Sequence, residues 1–329
     1  MRITNRVPLA IVALSTIWQA VGTVVIGDAM TERTSTLSSF IAFGSAALLC
    51  TLQAAFGGML PRLLLRLREP RTFTLLLLMN VATAGVFVSF YVALAYLPAT
   101  SVSVLEAGCA PIVVAVIVAL HQRRRGSART LVAPVAVLTL STVIAWQVIS
   151  REEAATTTLW FGVGLAVFAG ASGACVVLLS GALSRAHLSP SEVNAARFHL
   201  AWVVSGVAYL LNGTAGALPT NIGSLAVVSV TLGAAPLIVL QYGLSRAQPV
   251  TSELIMSTLP ALVFGAGALR SGYADPTTAL LMAGLVVISV VYVLVEAQRE
   301  RRAVPAATPT ITSAAVRETA AAARTEGSP

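Results

Sequence analysis

Glu106 is the only formally charged residue between Arg71 and His121, and it stands in SVLEAGCAP (103–111) among Val, Leu, Ala, Gly and Cys. A carboxylate at mid-helix depth in a membrane costs about 2.5–3.5 kcal/mol on insertion scales, so it must face a wet cavity or the inside of a helix bundle. There it can bind a substrate ammonium group or a coupling proton, because a carboxyl away from water costs least when protonated or paired. The competing reading is a hydrogen-bonded structural glutamate that ties two helices together. Its helical neighbours Val102, Ser103, Cys109 and Ala110 are small and would leave open volume beside it. Tyr91 lies seven residues before Pro98 and Glu106 eight after it. On antiparallel helices both would sit about 10–12 Å below the same membrane edge, so Tyr91 is expected to hydrogen-bond Glu106.

Other polar residues interrupt apolar runs. Glu253 follows Pro249 closely. It reads as a first-turn carboxylate that complements the helix dipole near the inner face, or as a residue lining an inner vestibule. Arg197 and His199, two positions apart, point to different faces of one helix. The favoured reading of Arg197 is a side chain snorkelling to the inner surface. If it entered the cavity instead, it would take a substrate carboxylate while Glu106 took the amine, a pair suited to a zwitterion. Gln241 and Tyr242 precede Pro249 by about the spacing that separates Tyr91 from Pro98. They join Trp18 and Ser103 as cavity candidates, and Gln19, Gln53 and Asn80 are further polar groups that each need a partner in a membrane.

The elements that must position these residues are apolar helices. Of the 329 residues, 57% are hydrophobic and 10% charged, with mean hydropathy +0.85, which excludes an ordinary soluble domain. Runs of about 20 apolar residues recur, the length needed to cross about 30 Å of hydrocarbon as a helix. Ten spans are expected, at 7–27, 38–60, 72–96, 99–120, 130–149, 159–183, 191–211, 222–245, 250–270 and 276–297. The N-terminal stretch is too long for the apolar core of a signal peptide and reads as a retained first span. From Gln298 the composition turns to Ala, Thr, Pro, Arg and Glu, and a disordered cytoplasmic tail is expected over 298–329.

All 21 basic residues are arginines, and they gather in short loops. With a cytoplasmic N-terminus the inner side holds fifteen of those assigned to loops and ends, including the triplet Arg123–Arg125, whereas the outer side holds Arg33, Arg151 and Arg270. That asymmetry places both termini inside the cell, in an inner (plasma) membrane, and fits an even number of spans. The positive charge is thus a matter of membrane orientation, and no nucleic-acid partner is implied. Cys50, Cys109 and Cys175 have no metal-ligand or disulfide spacing. No HExxH, P-loop, GxSxG or nucleotide-binding glycine motif occurs, so neither a catalytic residue nor a cofactor is expected.

The two halves share a plan. ALAYLPATSVSVLEAGCAPIVVAVI (93–117) and GLSRAQPVTSELIMSTLPALVFGAG (243–267) each run from an apolar segment through a Pro hinge to a helix with a central Pro. Five spans per half would insert the second half upside down, giving an inverted repeat over 1–150 and 151–297. On these stretches, together with 160–183 and 244–291, the sequence resembles the EamA family of the drug/metabolite transporter superfamily, and within it the threonine/homoserine exporter branch. The resemblance covers residue 1 to about 297. Where relatives often carry Glu before the Pro of the ninth span, and Gly-Glu at its end, this chain has Leu259 and Gly272-Tyr273.

The resemblance implies an all-α integral membrane protein of ten helices, with a central cavity lined by spans one, three, four, six, eight and nine, and spans five and ten peripheral. It implies export of a small polar or amphipathic metabolite, such as an amino acid, by alternating access. The bilayer, a small-molecule substrate, protons and a second copy of the chain are the partners considered. A membrane-embedded enzyme acting on lipid-like substrates and a non-transporting sensor or scaffold are the alternatives.

Overall fold

In a computed structural model the described residues are 6–27, 30–121, 128–150, 156–211 and 222–303. The arginine triplet at 123–125 and the tail beyond 303 lie outside them. The first half contains α1 (Arg6–Gly27), α2 (Glu32–Phe56), the short α3 (Leu60–Arg66), α4 (Pro70–Ala93), α5 (Ala99–His121) and α6 (Ala128–Ile149). The second contains α7 (Thr156–Arg185), α8 (Pro190–Arg197), α9 (His199–Leu211), α10 (Ile222–Val228), a π-helical stretch (Ser229–Ala234), α11 (Ala235–Leu244), α12 (Pro249–Met256), α13 (Leu259–Ser271) and α14 (Pro276–Ala303). No strand occurs among the described residues. One unit comprises Met1–Tyr292, and Val293–Pro329 forms a second.

Local chemistry sets the helix starts. Proline occupies the first positions of α4, α8 and α12, where its missing N–H would have had no helical acceptor anyway. Ser189 and Glu192 form a reciprocal capping box at the head of α8, the Ser189 N–H donating to Glu192 Oε2 at 2.7 Å. Asp275 caps α14 by accepting from the Thr278 amide at 2.9 Å. At the end of α13, Gly272 adopts φ 71°, the left-handed conformation that glycine enters without steric cost.

Nine helical stretches among the described residues are long and apolar enough to cross a membrane. Their outward faces are apolar: Leu14, Ile17, Val21 and Val25 are exposed along α1, and Val287, Val290, Val291 and Leu294 along α14. Inward faces carry small hydroxyl side chains such as Ser15, Thr16, Ser38 and Thr83. A polar inside under an apolar outside is the arrangement a bilayer favours.

The expected seventh span, 191–211, is not one continuous helix. It breaks at Phe198 into α8 and α9. Asn80 of α4 bridges the break: its Nδ2 donates to the Ala196 carbonyl at 2.6 Å and its Oδ1 accepts from the Leu200 amide at 3.3 Å. Backbone groups released by the break are thereby satisfied inside the bundle, as a lipid-surrounded chain requires. The ninth span is also divided, at Ser257–Thr258 ahead of Pro260, whereas Pro111 lies within an unbroken α5. Helix α14 runs on to Ala303, so residues 298–303 are helical where disorder was expected from composition.

Helix α4 packs against α7, and α1 against α11; α5 packs against α7, and α1 against α12 and α13. Helix α4 also touches α8 and α9, while α2 touches the π-helical stretch. The remaining central contacts are α2 with α8 and α9, and α5 with α12 and α13. The core includes Phe43, Met79 and Phe198, all fully buried.

Candidate functional site

A narrow cleft opens between α1, α4, α5, the π-helical stretch with α11, and α13. Glu106 lines it from α5 and is the only charged residue of its wall among the described residues. Across from it α4 presents Phe87, Phe90 and Tyr91, which fall on one helical face at spacings of three and four. Gln19 and Thr23 of α1 add neutral polar groups, and Leu232, Leu237 and Leu259 close the apolar side.

Small residues bring the backbones of this region together. A methyl group at Gly170 of α7 would overlap the Glu106 carbonyl oxygen and stand 3.0 Å from its carbonyl carbon. Helix α7 therefore rests directly on the backbone that carries Glu106. Gly170→Ala is expected to cost about 1–3 kcal/mol, since backbone cannot yield as a side-chain tip can. Thermal unfolding in detergent checks this, and a melting temperature equal to the native one would contradict it. Gly233 makes room for Tyr91 in the same way: a Cβ there would stand 2.5 Å from the tyrosine hydroxyl.

The π-helical stretch is another departure from regular helix at the cleft wall. It contributes Leu232 and Gly233, and Pro236 follows it in α11 without an N–H to donate. Such widened turns recur at functional sites because they re-aim side chains and free backbone groups.

The sequence-derived candidates divide sharply. Glu106 and Tyr91 share the cleft, in keeping with their similar spacing from Pro98. The expected hydrogen bond between them is not made: among the described residues neither the Glu106 carboxyl nor the Tyr91 hydroxyl has a hydrogen-bond partner. Tyr91 points its hydroxyl toward Gly233 instead, and its ring meets Phe43 edge-on at 5.9 Å. Ser103 is fully buried, its hydroxyl donating to the Ala99 carbonyl at 2.8 Å. Trp18 is half-buried on α1 and does not line the cleft.

Arg197 corrects the snorkelling expectation. Its side chain is fully buried, because α8 ends there against α11 rather than continuing outward. Nη1 donates to Gln241 Oε1, Nη2 donates to the Leu237 carbonyl at 3.3 Å, and the guanidinium lies 4.5 Å from the centre of the Phe198 ring. Gln241 Oε1 also accepts from the Ser180 hydroxyl at 3.1 Å. The Gln241 Oε1 is thus committed to Arg197 and Ser180, its Nε2 is buried without a partner among the described residues, and the Tyr242 hydroxyl pairs with Ser191 at 2.8 Å; neither residue lines the cleft.

Glu253 is corrected as well. It is the fifth residue of α12, past the first turn, and is 2% exposed with one carboxyl oxygen lacking a partner. Neither a dipole-complementing surface group nor a vestibule residue fits that burial. It lies close enough to Glu106 for their charges to interact, because α12 packs against α5. His199 is a satisfied polar contact, with Nε2 2.9 Å from the Ala195 carbonyl.

The aromatic wall was not anticipated. Phe87 and Phe90 look like ordinary apolar residues, and only their register with Tyr91 marks them. The sixth span, expected to line the cavity, supports it from behind through Gly170.

No protein-family model and no curated protein matches the chain. A solved crystal structure of a protein given no further description is similar over 89% of this chain and 98% of its own length, with a TM-score of 0.63 at 14% identity. At that identity the likeness shows a shared fold.

Proposed function

We propose that the chain is a secondary transporter of the drug/metabolite transporter type, with ten spans in two inverted five-helix repeats. It moves a small amphipathic metabolite outward by alternating access, in exchange for protons. The observation that carries this reading is the composition of the cleft wall: α1, α4 and α5 come from one half of the chain, and the π-helical stretch, α11 and α13 from the other. A site at the junction of two halves is what rocking of one half against the other would expose to each side in turn.

The helix pairings support the repeat. With α8–α9 counted as one span, and likewise α10–α11 and α12–α13, exchange of the halves turns the α4–α7 contact into α11–α1. The same exchange turns α5–α7 into α12/α13–α1, and α4–α9 into the contact between the π-helical stretch and α2. The contacts α2–α9 and α5–α13 map onto themselves.

Alternating access is tested by placing a single cysteine at Thr23, with Cys50, Cys109 and Cys175 replaced, in sealed vesicles of both orientations. Membrane-impermeant thiol reagents are expected to reach residue 23 from either face, in proportions that shift with substrate. Labelling from one face only, unaffected by any compound, would contradict the mechanism.

A further inference from the structure

We infer that the ligand of the Glu106 cleft is an organic cation: an ammonium group on an apolar or aromatic body, without a carboxylate. This rests on the reading of the cleft as the substrate site and narrows it.

The charges of the wall carry the argument. Glu106 is the single charged group facing the cleft among the described residues, and no arginine or histidine lines it. A bound carboxylate would therefore enter a membrane-depth site with no cation to meet it, beside a carboxylate that repels it. Arg197 is the residue that would have to answer a carboxylate, and it does not line the cleft. Two of its nitrogens donate to Gln241 Oε1 and the Leu237 carbonyl, its Cζ lies over the Phe198 ring, and its buried Nε has no partner among the described residues. Leu237 is also a wall residue, so the guanidinium is engaged by the wall rather than presented through it.

The remaining lining suits a cation with an apolar body. Phe87, Phe90 and Tyr91 bring aromatic rings to the wall, and such rings attract ammonium groups most strongly where water is excluded. Gln19 donates its Nε2 to the Ser15 carbonyl at 3.3 Å, which leaves its Oε1 as an acceptor for an ammonium N–H. Leu232, Leu237 and Leu259 provide the apolar surface. The lining sets a few placed polar groups in a mostly apolar wall, the pattern that orients a small ligand.

The test compares three compounds with one body: 2-phenylethylamine, phenylalanine and 3-phenylpropionate, by calorimetry on the full chain in nanodiscs. The amine is expected to bind at least about tenfold more tightly than phenylalanine, because the extra carboxylate finds no partner. Phenylpropionate is expected not to bind. Glu106→Gln should remove amine binding. Should that variant fail to fold, Phe87→Leu serves, with amine affinity expected to fall about threefold as one ring face is lost. Phenylalanine binding as tightly as the amine overturns the proposal, as does binding of none of the three or unchanged amine affinity in a folded Glu106→Gln chain.

Counterflow of phenyltrimethylammonium and of phenylalanine in proteoliposomes separates this inference from the transport reading. Glu106-dependent movement of phenylalanine but not the cation keeps the carrier and sinks the cation site. Cation binding to the folded chain without counterflow keeps the site and sinks the carrier.

Discussion

Glu106→Gln is expected to weaken binding and counterflow of phenyltrimethylammonium by at least about 30-fold, the equivalent of about 2 kcal/mol for a desolvated charge pair that loses one partner. Gln keeps the shape and hydrogen-bonding reach of Glu but cannot carry its charge. The chain should still fold, because the Glu106 carboxyl makes no hydrogen bond among the described residues that its replacement would break. Glu106→Asp, which retains the charge on a shorter arm, should keep part of the activity. A glutamate whose task was to tie two helices would give the opposite result: Gln would lower the melting temperature, and any loss of transport would follow from misfolding.

The second large effect belongs to Gln241. Gln241→Leu is expected to destabilise the chain by about 3–5 kcal/mol, because it leaves the buried Arg197 charge without its side-chain acceptor. The Ser180 hydroxyl loses a partner as well but retains the Val176 carbonyl at 2.7 Å. Arg197→Met is expected to cost less than Gln241→Leu, since it removes the charge together with the need to satisfy it. Combining the two should recover most of the stability lost in Gln241→Leu alone. Thermal unfolding of the three variants in one detergent measures this coupling. Equal losses that simply add would show that Arg197 and Gln241 do not depend on each other.

What could be read from the sequence follows the range of the interactions. A lone carboxylate in an apolar run identifies Glu106, and the distance from Pro98 brings Tyr91 to the same cleft, because both arguments need only local helix geometry. The break at Phe198 is different. Arg197 and His199 mark an interruption, but what makes a divided helix tolerable is Asn80, more than a hundred residues earlier, satisfying the freed backbone. Arg197 was misread for the same reason. Its partners are on α11, and an isolated helix gives no reason for a guanidinium to stay inside.

Glu253 shows a second kind of limit. Pro249 fixes the start of α12, but burial of Glu253 comes from the packing of α12 on α5, which the sequence pattern does not contain. Phe87 and Phe90 were overlooked because an apolar wall and a lipid-facing surface are written with the same residues.

The central claim is that a cleft built by both halves exchanges a cation for protons at Glu106. Its most direct measurement is proton movement in proteoliposomes given an inward gradient of phenyltrimethylammonium, a permanent cation that cannot cross as a neutral base. A pH-sensitive dye trapped inside should report protons leaving as the cation enters, and the signal should vanish in folded Glu106→Gln. Cation entry without proton movement, or an equal proton signal in that variant, would contradict the account.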